Sequence, residues 1–222
     1  LHAYSKRLDD LKVLDPACGS GAFLIQAFQF LYEQRKWIAA ELERVTGTLS
    51  LFDTHAAMRS VLANNLYGVD INAESIEITR LALWLHTALP NRPLTSLDQN
   101  IRCGNSLVST DLLAQLDCQE EEVGRDELDR VNPFSWENAF PEVFEGKDKG
   151  FDCIIGNPPY VIFRNYRAVQ SMTVDYLEKA QKSDGTPVYA SAQAPAPDLF
   201  LPFIERGVNL LTSTGKLGYI AP

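Results

Sequence analysis

Short apolar runs that end at small or acidic residues alternate along this sequence with longer segments of helical periodicity. Five such runs are predicted strands, at residues 12–15, 66–70, 100–103, 151–155 and 216–220. Strands separated by helical segments pair in parallel, with the connecting helices packed on the sheet. The alternation therefore predicts an α/β fold with a doubly wound, mostly parallel sheet and helices on both faces.

Two of the predicted helices have clear sequence signals. After Gly21, apolar residues recur at spacings of three, four or seven and form one stripe, which predicts a helix lying on the sheet. The stripe consists of Leu24, Phe28, Leu31, Ile38, Leu42 and Val45. Asn72 can cap a second helix that runs through Leu89, where Pro90 and Pro93 would stop it.

A third helix is predicted near the end of the sequence. It begins at about Asp198 or Leu201 and runs to Leu211, with Pro202 in its first turn, where proline is tolerated. Gly215 is placed to end the turn that follows. Two stretches fall outside the alternation. We expect residues 104–150 to form a helical or irregular excursion on the sheet, and residues 161–197 to include a loop that is mobile without a partner.

The charge is concentrated in one segment. The net charge of -9 argues against a nucleic-acid binder if it is spread over the whole chain. Residues 117–150, however, contain eleven Asp or Glu and four Lys or Arg and account for -7 of this charge. We expect an acidic insert at about 106–150, which is either a partner surface or, as we favour, a solvated face.

No apolar run reaches the ~18 residues of a membrane helix, which argues against a membrane protein. The four cysteines are far apart, which favours a reduced, cytoplasmic setting. The histidines His2, His55 and His86 have no ligand companions at metal-site spacing, so no metal site is predicted.

The first predicted strand is followed by a glycine-rich turn. Asp-Pro-Ala-Cys-Gly-Ser-Gly spans residues 15–21, and Gly19 and Gly21 would let a ligand touch the main chain, although they could also serve only to make a sharp corner. The third glycine of the dinucleotide-binding fingerprint is absent, which argues against a nicotinamide or flavin cofactor. Asp15 would repel a pyrophosphate but attract the ammonium group of an amino acid, such as that of S-adenosylmethionine.

Polar residues also follow the next two strands. Asp70 ends the second strand, where its two carboxylate oxygens could accept both hydroxyls of a ribose, or where it could simply cap a helix. Asn105 follows the third strand, and its amide could pair with the edge of an adenine ring. The three strand ends together favour a nucleoside-containing ligand.

The fourth strand leads into Asn157-Pro158-Pro159-Tyr160. Two prolines fix an extended turn, so the Asn157 side chain and the Pro158 carbonyl could each accept one hydrogen of a ring-bound amine. The amine nitrogen would then shift towards a tetrahedral form with its lone pair free to attack an electrophile. Tyr160 would stack on the ring. A rigid loop with an incidental tyrosine is the alternative.

These motifs, in this order, resemble those of S-adenosylmethionine-dependent amino-methyltransferases. They look most similar to adenine-specific DNA methyltransferases of restriction-modification systems, particularly large bacterial proteins that join methylase and specificity domains in one chain; phage-exclusion methyltransferases look similar. The stretch 198–222 also resembles the helix and fifth strand of that family.

The resemblance implies a Rossmann-like methyltransferase fold over residues 1–222 and S-adenosylmethionine as cofactor. It maps six residues to cofactor contacts, with Pro16 between two of them: Asp15, Ala17, Gly19, Gly21, Asp70 and Asn105. It maps Asn157, Pro158 and Tyr160 to catalysis on an adenine of double-stranded DNA. We expect the final hairpin of the sheet and the target-recognition domain to lie after Pro222, so that the domain here is truncated.

Two other functions stay open at this point. Asn-Pro-Pro-Tyr also occurs in enzymes that methylate a protein glutamine or a guanine of RNA, although Asp-Pro-Ala-Cys-Gly-Ser-Gly with a long insert before Asp70 looks like the DNA enzymes. The chain could also be a non-catalytic module that retains the fold.

Overall fold

The computed structural model describes residues 1–47, 52–88, 96–117 and 124–221, and it contains one five-stranded parallel sheet. The strands are β1 (Val13–Asp15), β2 (Leu66–Asp70), β3 (Ile101–Cys103), β4 (Phe151–Gly156) and β5 (Leu211–Tyr219). Their order across the sheet is β3-β2-β1-β4-β5, and every pairing is parallel. The predicted doubly wound α/β fold is confirmed.

The longer helices are α1 (His2–Asp10), α2 (Ala22–Thr46), α3 (Thr54–Asn64), α4 (Ala73–Thr87), α10 (Ser171–Lys179) and α11 (Phe200–Leu210). The short ones are α5 (Leu112–Gln115), α6 (Arg125–Val131), α7 (Trp136–Ala139), α8 (Pro141–Phe144) and α9 (Phe163–Tyr166), with a 3₁₀ turn at Ser191–Gln193. None of the helices in the described ranges is long and apolar enough to cross a membrane.

Strand residues alternate between two apolar clusters, one on each face of the sheet. Val13 packs with the first face, under α2, α3 and α4, and its neighbour Leu14 packs with the second. Phe134, Trp136 and Phe140 from the acidic stretch belong to that second face, beside Phe151. Burying a large aromatic side chain stabilises the folded state by about 2 kcal/mol or more, so the aromatic residues hold this stretch against the sheet.

Several details of the predicted elements differ from the structure. The α1 and α3 helices were not predicted. The last strand begins at Leu211 rather than Lys216, so Gly215 lies inside β5 instead of ending a turn. Leu211 pairs with Phe151 of β4, and after a shift in register the pairing continues from Lys216 opposite Cys153. Gly215 lies in this irregular part, where a side chain would meet the Phe151 carbonyl oxygen at 2.9 Å.

The periodic helix forms as predicted apart from Val45, and the capped helix has its predicted cap but ends earlier than predicted. Leu24, Phe28, Leu31 and Ile38 of the stripe are buried, and Leu42 packs partly against them. Val45, in the last turn of α2, is 64% exposed. Asn72 caps α4 by accepting from the Ser75 backbone N–H, but the helix ends at Thr87, because the backbone at Ala88 is already extended, and so does not reach the predicted end at Leu89. Pro90 and Pro93 lie outside the described residues.

The segment 161–197 contains α9, α10 and the 3₁₀ turn, which pack with α5 and α11 into a third apolar cluster. Ala17 and Tyr219, from the carboxyl ends of β1 and β5, border this cluster. The segment therefore stands over the carboxyl edge of the sheet. The mobility of its low-complexity part stays a prediction.

Candidate active site

The glycine-rich turn between β1 and α2 is built on two residues with positive φ. Gly19 has φ +51° and Gly21 has φ +84°, a conformation that other residues adopt only at a cost. A Cβ atom at Gly21 would also lie 2.8 Å from the Cγ2 atom of Thr79 on α4. Thr79 in turn donates a hydrogen bond of 2.8 Å to the Gly19 carbonyl. The turn is thus fixed to α4.

Asp70 sits at the end of β2 and holds this turn in place. One of its oxygens accepts the Gly19 backbone N–H at 2.9 Å, and the other accepts the Asn72 backbone N–H at 2.9 Å. Each carboxylate oxygen has two lone pairs, so one on each oxygen stays available to a hydroxyl group. Asp70 can therefore both order the turn and bind a ligand.

Asp15 is the most buried charged group of the site. Its side chain is 1% exposed, Oδ1 accepts the Ala17 backbone N–H at 3.1 Å, and Oδ2 has no hydrogen-bond partner. Burial raises the pKa of this carboxyl group to about 7, with the nearby Asp70 adding to the rise and the Ala17 hydrogen bond opposing it. A buried carboxyl group with a free oxygen is prepared to receive a cationic partner.

Asn105 is buried, and its carboxamide is held by two neighbours. Its Oδ1 accepts the Leu107 backbone N–H at 3.1 Å, and its Nδ2 donates to the Thr173 hydroxyl at 3.3 Å. An amide nitrogen carries two hydrogens, so the second remains available as a donor. Ser106 beside it donates a 2.6 Å hydrogen bond to the Pro16 carbonyl, which joins the third strand end to the glycine-rich turn.

The double-proline corner leaves β4 directly beside the glycine-rich turn. A Cβ atom at Gly156 would lie 2.7 Å from Asp15 Oδ1, so only glycine lets β4 pass this close to the end of β1. Both corners therefore lie at the same edge of the sheet. That edge is the switch point where the strand order reverses, and ligands of doubly wound folds bind outside the carboxyl ends there.

Tyr160 is anchored by its hydroxyl group. The hydroxyl lies 2.6 Å from Asn157 Oδ1 and 2.6 Å from the Ile220 carbonyl, and one phenol hydrogen can serve only one of them at a time. The ring is 43% exposed and contacts Phe200, with centroids 5.4 Å apart. Pro158 is buried and Asn157 is exposed. A planar group could therefore approach the ring and the asparagine together.

A cavity of about 380 Å³ opens between these corners. Five of the predicted site residues line it: Pro16, Ala17, Asp70, Asn105 and Asn157. Five others do not: Asp15 is buried at the end of β1, Gly19 and Gly21 shape the turn, and Pro158 and Tyr160 belong to the corner around Asn157. The cavity thus joins the two sites that the sequence predicts separately.

Sequence reasoning missed several residues of the cavity wall. They are Tyr166, Thr173, Leu199 and Phe203, all from the part of the chain between β4 and β5. The spacing of four between Leu199 and Phe203 on one turn of helix was a usable signal for an apolar wall. Thr173 gave no such signal, because its role depends on a contact with the distant Asn105. No group of side chains suited to a metal ion occurs within the described ranges.

A parallel five-stranded sheet with a cavity at its switch point defines the class of protein as an α/β protein of Rossmann-like methyltransferase fold. The sequence matches the family Eco57I restriction-modification methylase over residues 64–222. The match covers well over half of the sequence, and the chain belongs to that family.

Known relatives are much longer than this chain. It is 29% identical over 239 residues to the type II restriction enzyme and methyltransferase RM.Eco57I of Escherichia coli, covering 99% of this chain and 21% of that protein. It is 27% identical over 181 residues to the adenine-specific methyltransferase PglX of Streptomyces coelicolor, covering 71% of this chain and 13% of PglX. The chain spans about a fifth or less of both relatives.

Solved structures support the fold. The DrdV–DNA complex matches with a TM-score of 0.51 at 17% identity, over 95% of this chain and 17% of that one. At this identity the match establishes the arrangement of the strands and helices alone.

Proposed function

We propose that this chain is the catalytic domain of a site-specific DNA methyltransferase that uses S-adenosylmethionine to methylate the exocyclic amine of adenine. The observation that carries the proposal is the single cavity that unites Pro16, Ala17, Asp70 and Asn105 with Asn157. A methyl donor and an amine acceptor must meet within bonding reach, and the neighbouring ends of β1 and β4 supply one place where both could bind.

The residues at this edge suit S-adenosylmethionine in size and charge. The cavity volume of about 380 Å³ is within the range of small-molecule sites, roughly 300–1,000 Å³. The free Oδ2 of Asp15 would receive the ammonium group, and the free lone pairs of Asp70 would receive the ribose hydroxyls. Two acidic groups also suit a cationic ligand better than a pyrophosphate. When bound, this cofactor supplies a methyl group activated by a sulfonium centre.

The double-proline corner would hold the acceptor. In this proposal the Asn157 side-chain oxygen and the Pro158 carbonyl accept the two amine hydrogens, which makes the nitrogen lone pair available without a general base. Tyr160 would then give its own hydrogen to the Ile220 carbonyl, which leaves Asn157 Oδ1 free for the amine. The half-exposed Tyr160 ring would stack on the base, a contact worth about 1–3 kcal/mol.

Double-stranded DNA is the proposed substrate of the full-length protein. An adenine inside a duplex cannot reach such a corner, so it would have to be flipped out at a cost of a few kcal/mol. The name of PglX as an adenine-specific methyltransferase supports adenine as the acceptor. Sequence recognition is proposed to lie in a part of the protein outside residues 1–222.

Modified-base sequencing of DNA from a host that carries the intact gene tests the proposal. We expect methylated adenine within one recurrent sequence, and loss of that mark with Asn157→Ala, while binding of S-adenosylmethionine by the variant stays intact. Methylated protein glutamine or RNA guanine, with unmodified DNA, would instead favour one of the other acceptors. Cofactor binding without any methylated product would favour a non-catalytic module.

A further inference from the structure

Asn105 stands at one end of a chain of hydrogen bonds that crosses from the third strand end to α6. Its Nδ2 donates to Thr173 at 3.3 Å, and Thr173 donates to Gln170 Oε1 at 3.2 Å. Gln170 then donates through Nε2 to the Arg130 carbonyl at 2.8 Å. The chain of bonds thus joins the Asn105 loop, α10 and α6.

Backbone groups fix the direction of every bond in this chain. The Leu107 N–H can only donate, so the Asn105 oxygen must face it and the Asn105 nitrogen must face Thr173. At the other end, the Arg130 carbonyl can only accept, so the Gln170 nitrogen must face it and the Gln170 oxygen must face Thr173. The Thr173 hydroxyl therefore donates towards Gln170 and accepts from Asn105.

Burial makes this arrangement hard to reverse. Thr173 is 1% exposed and Asn105 is 5% exposed, so water cannot readily replace a lost partner of either side chain. Flipping the Asn105 amide would place two donors against each other at Leu107 and leave buried groups unpaired, which is costly. Both side chains line the cavity. The Asn105 side-chain amide therefore has a fixed orientation. One of its two Nδ2 hydrogens is donated to Thr173, and the other is available to a group in the cavity.

We propose that Thr173 is a positioning residue that presets the Asn105 amide as a hydrogen-bond donor to N1 or N3 of the cofactor's adenine. This inference rests on the proposed function, since it takes the adenosine portion of S-adenosylmethionine as the ligand near Asn105. Recognition of the cofactor's adenine then depends on α10, which lies in the segment between β4 and β5. Thr173 itself does not contact the reacting atoms.

The test compares the affinities of the intact protein for S-adenosylhomocysteine and for its analogues in which adenine N1 or N3 is replaced by C–H. We expect one of the two analogues to bind the native protein about tenfold more weakly, because a buried donor then loses its acceptor. With Thr173→Val, a change that keeps the shape but removes the hydroxyl, we expect that ratio to fall to about twofold. Thr173→Ser keeps the hydroxyl and should restore most of the tenfold ratio.

The ratio of affinities separates a loss of Asn105 positioning from a general loss of stability, because a less stable protein binds all three ligands more weakly by the same factor. An unchanged tenfold ratio in a folded Thr173→Val protein would overturn the proposal, as would equal binding of all three ligands by the native protein. If Thr173→Val does not fold, Gln170→Leu takes its place, and an unchanged ratio there has the same meaning. Failure of the native protein to bind S-adenosylhomocysteine at all would instead overturn the proposed cofactor.

Discussion

The buried carboxyl group of Asp15 gives the sharpest test of the proposed cofactor site. Its Oδ2 has no partner in the structure, and its pKa of about 7 means that much of it is protonated near neutrality. A cofactor ammonium group would bind the ionised form. We therefore predict that the affinity for S-adenosylmethionine rises with pH until Asp15 is ionised.

The expected size follows from the pKa. Below a pKa of about 7, each pH unit should weaken binding up to tenfold, so the affinity at about pH 5.5 should be about fifteenfold lower than at about pH 7.0. This range stays above the isoelectric point near 4.8. It also keeps the cofactor's α-amino group largely protonated, since such groups titrate at about 7.7–8.0.

Isothermal titration calorimetry in two buffers of different ionisation enthalpy measures both the affinity and the protons released. The native protein should release most of one proton on binding at about pH 6. Asp15→Asn, which keeps the shape but cannot ionise, should release none and should bind about tenfold or more weakly at about pH 7, because a charge-assisted hydrogen bond is lost. If the affinity of the native protein for S-adenosylmethionine depends on pH no more steeply than that of Asp15→Asn, Asp15 does not bind the ammonium group of the cofactor.

The same pKa makes a prediction about folding without cofactor. Because the folded pKa of about 7 lies above the unfolded value of 3.8, Asp15 favours folding in its protonated form. That contribution is complete below about pH 4 and is lost as the pH rises towards 7. Asp15→Asn should therefore become more stable relative to the native protein across this window, by up to about 4 kcal/mol, in urea unfolding experiments.

Three further changes test other parts of the site. Asp70→Ala removes the carboxylate that holds Gly19, and we expect at least tenfold weaker cofactor binding by calorimetry; intact affinity would contradict the ribose assignment. Tyr160→Phe keeps the ring and should reduce methyl transfer to DNA less than tenfold, whereas Tyr160→Ala should reduce it about 10–100-fold through lost stacking; equal rates in the two variants would argue against stacking. Gly21→Ala should lower the free energy of unfolding by about 2–4 kcal/mol, from positive φ and the clash with Thr79; adding Thr79→Ser should recover part of this loss, and no recovery would locate the strain elsewhere.

Local patterns in the sequence predicted much of the fold. Strand β2 has the predicted bounds, and Asn72 caps α4, because both depend on residues next to one another in the chain. The start of β5 was predicted wrongly because it depends on the pairing of Leu211 with Phe151, in another strand, which precedes a shift in register. The helices α1 and α3 were not predicted at all.

By itself the sequence determined the parts of the site that local chemistry dictates. Two glycines with positive φ make the turn after β1, an acidic residue ends β2, and two prolines stiffen the corner after β4. Each is a property of a few consecutive residues, since sterics and fixed φ act over one or two peptide units.

Only the tertiary structure decided that these parts form one site. The strand order places β4 beside β1, so Gly156 meets Asp15 and one cavity joins the two corners. It also brought Thr173 to Asn105 and left Asp15 buried with a free oxygen. Burial and long-range hydrogen bonds depend on which segments pack together, and no short stretch of sequence contains that information.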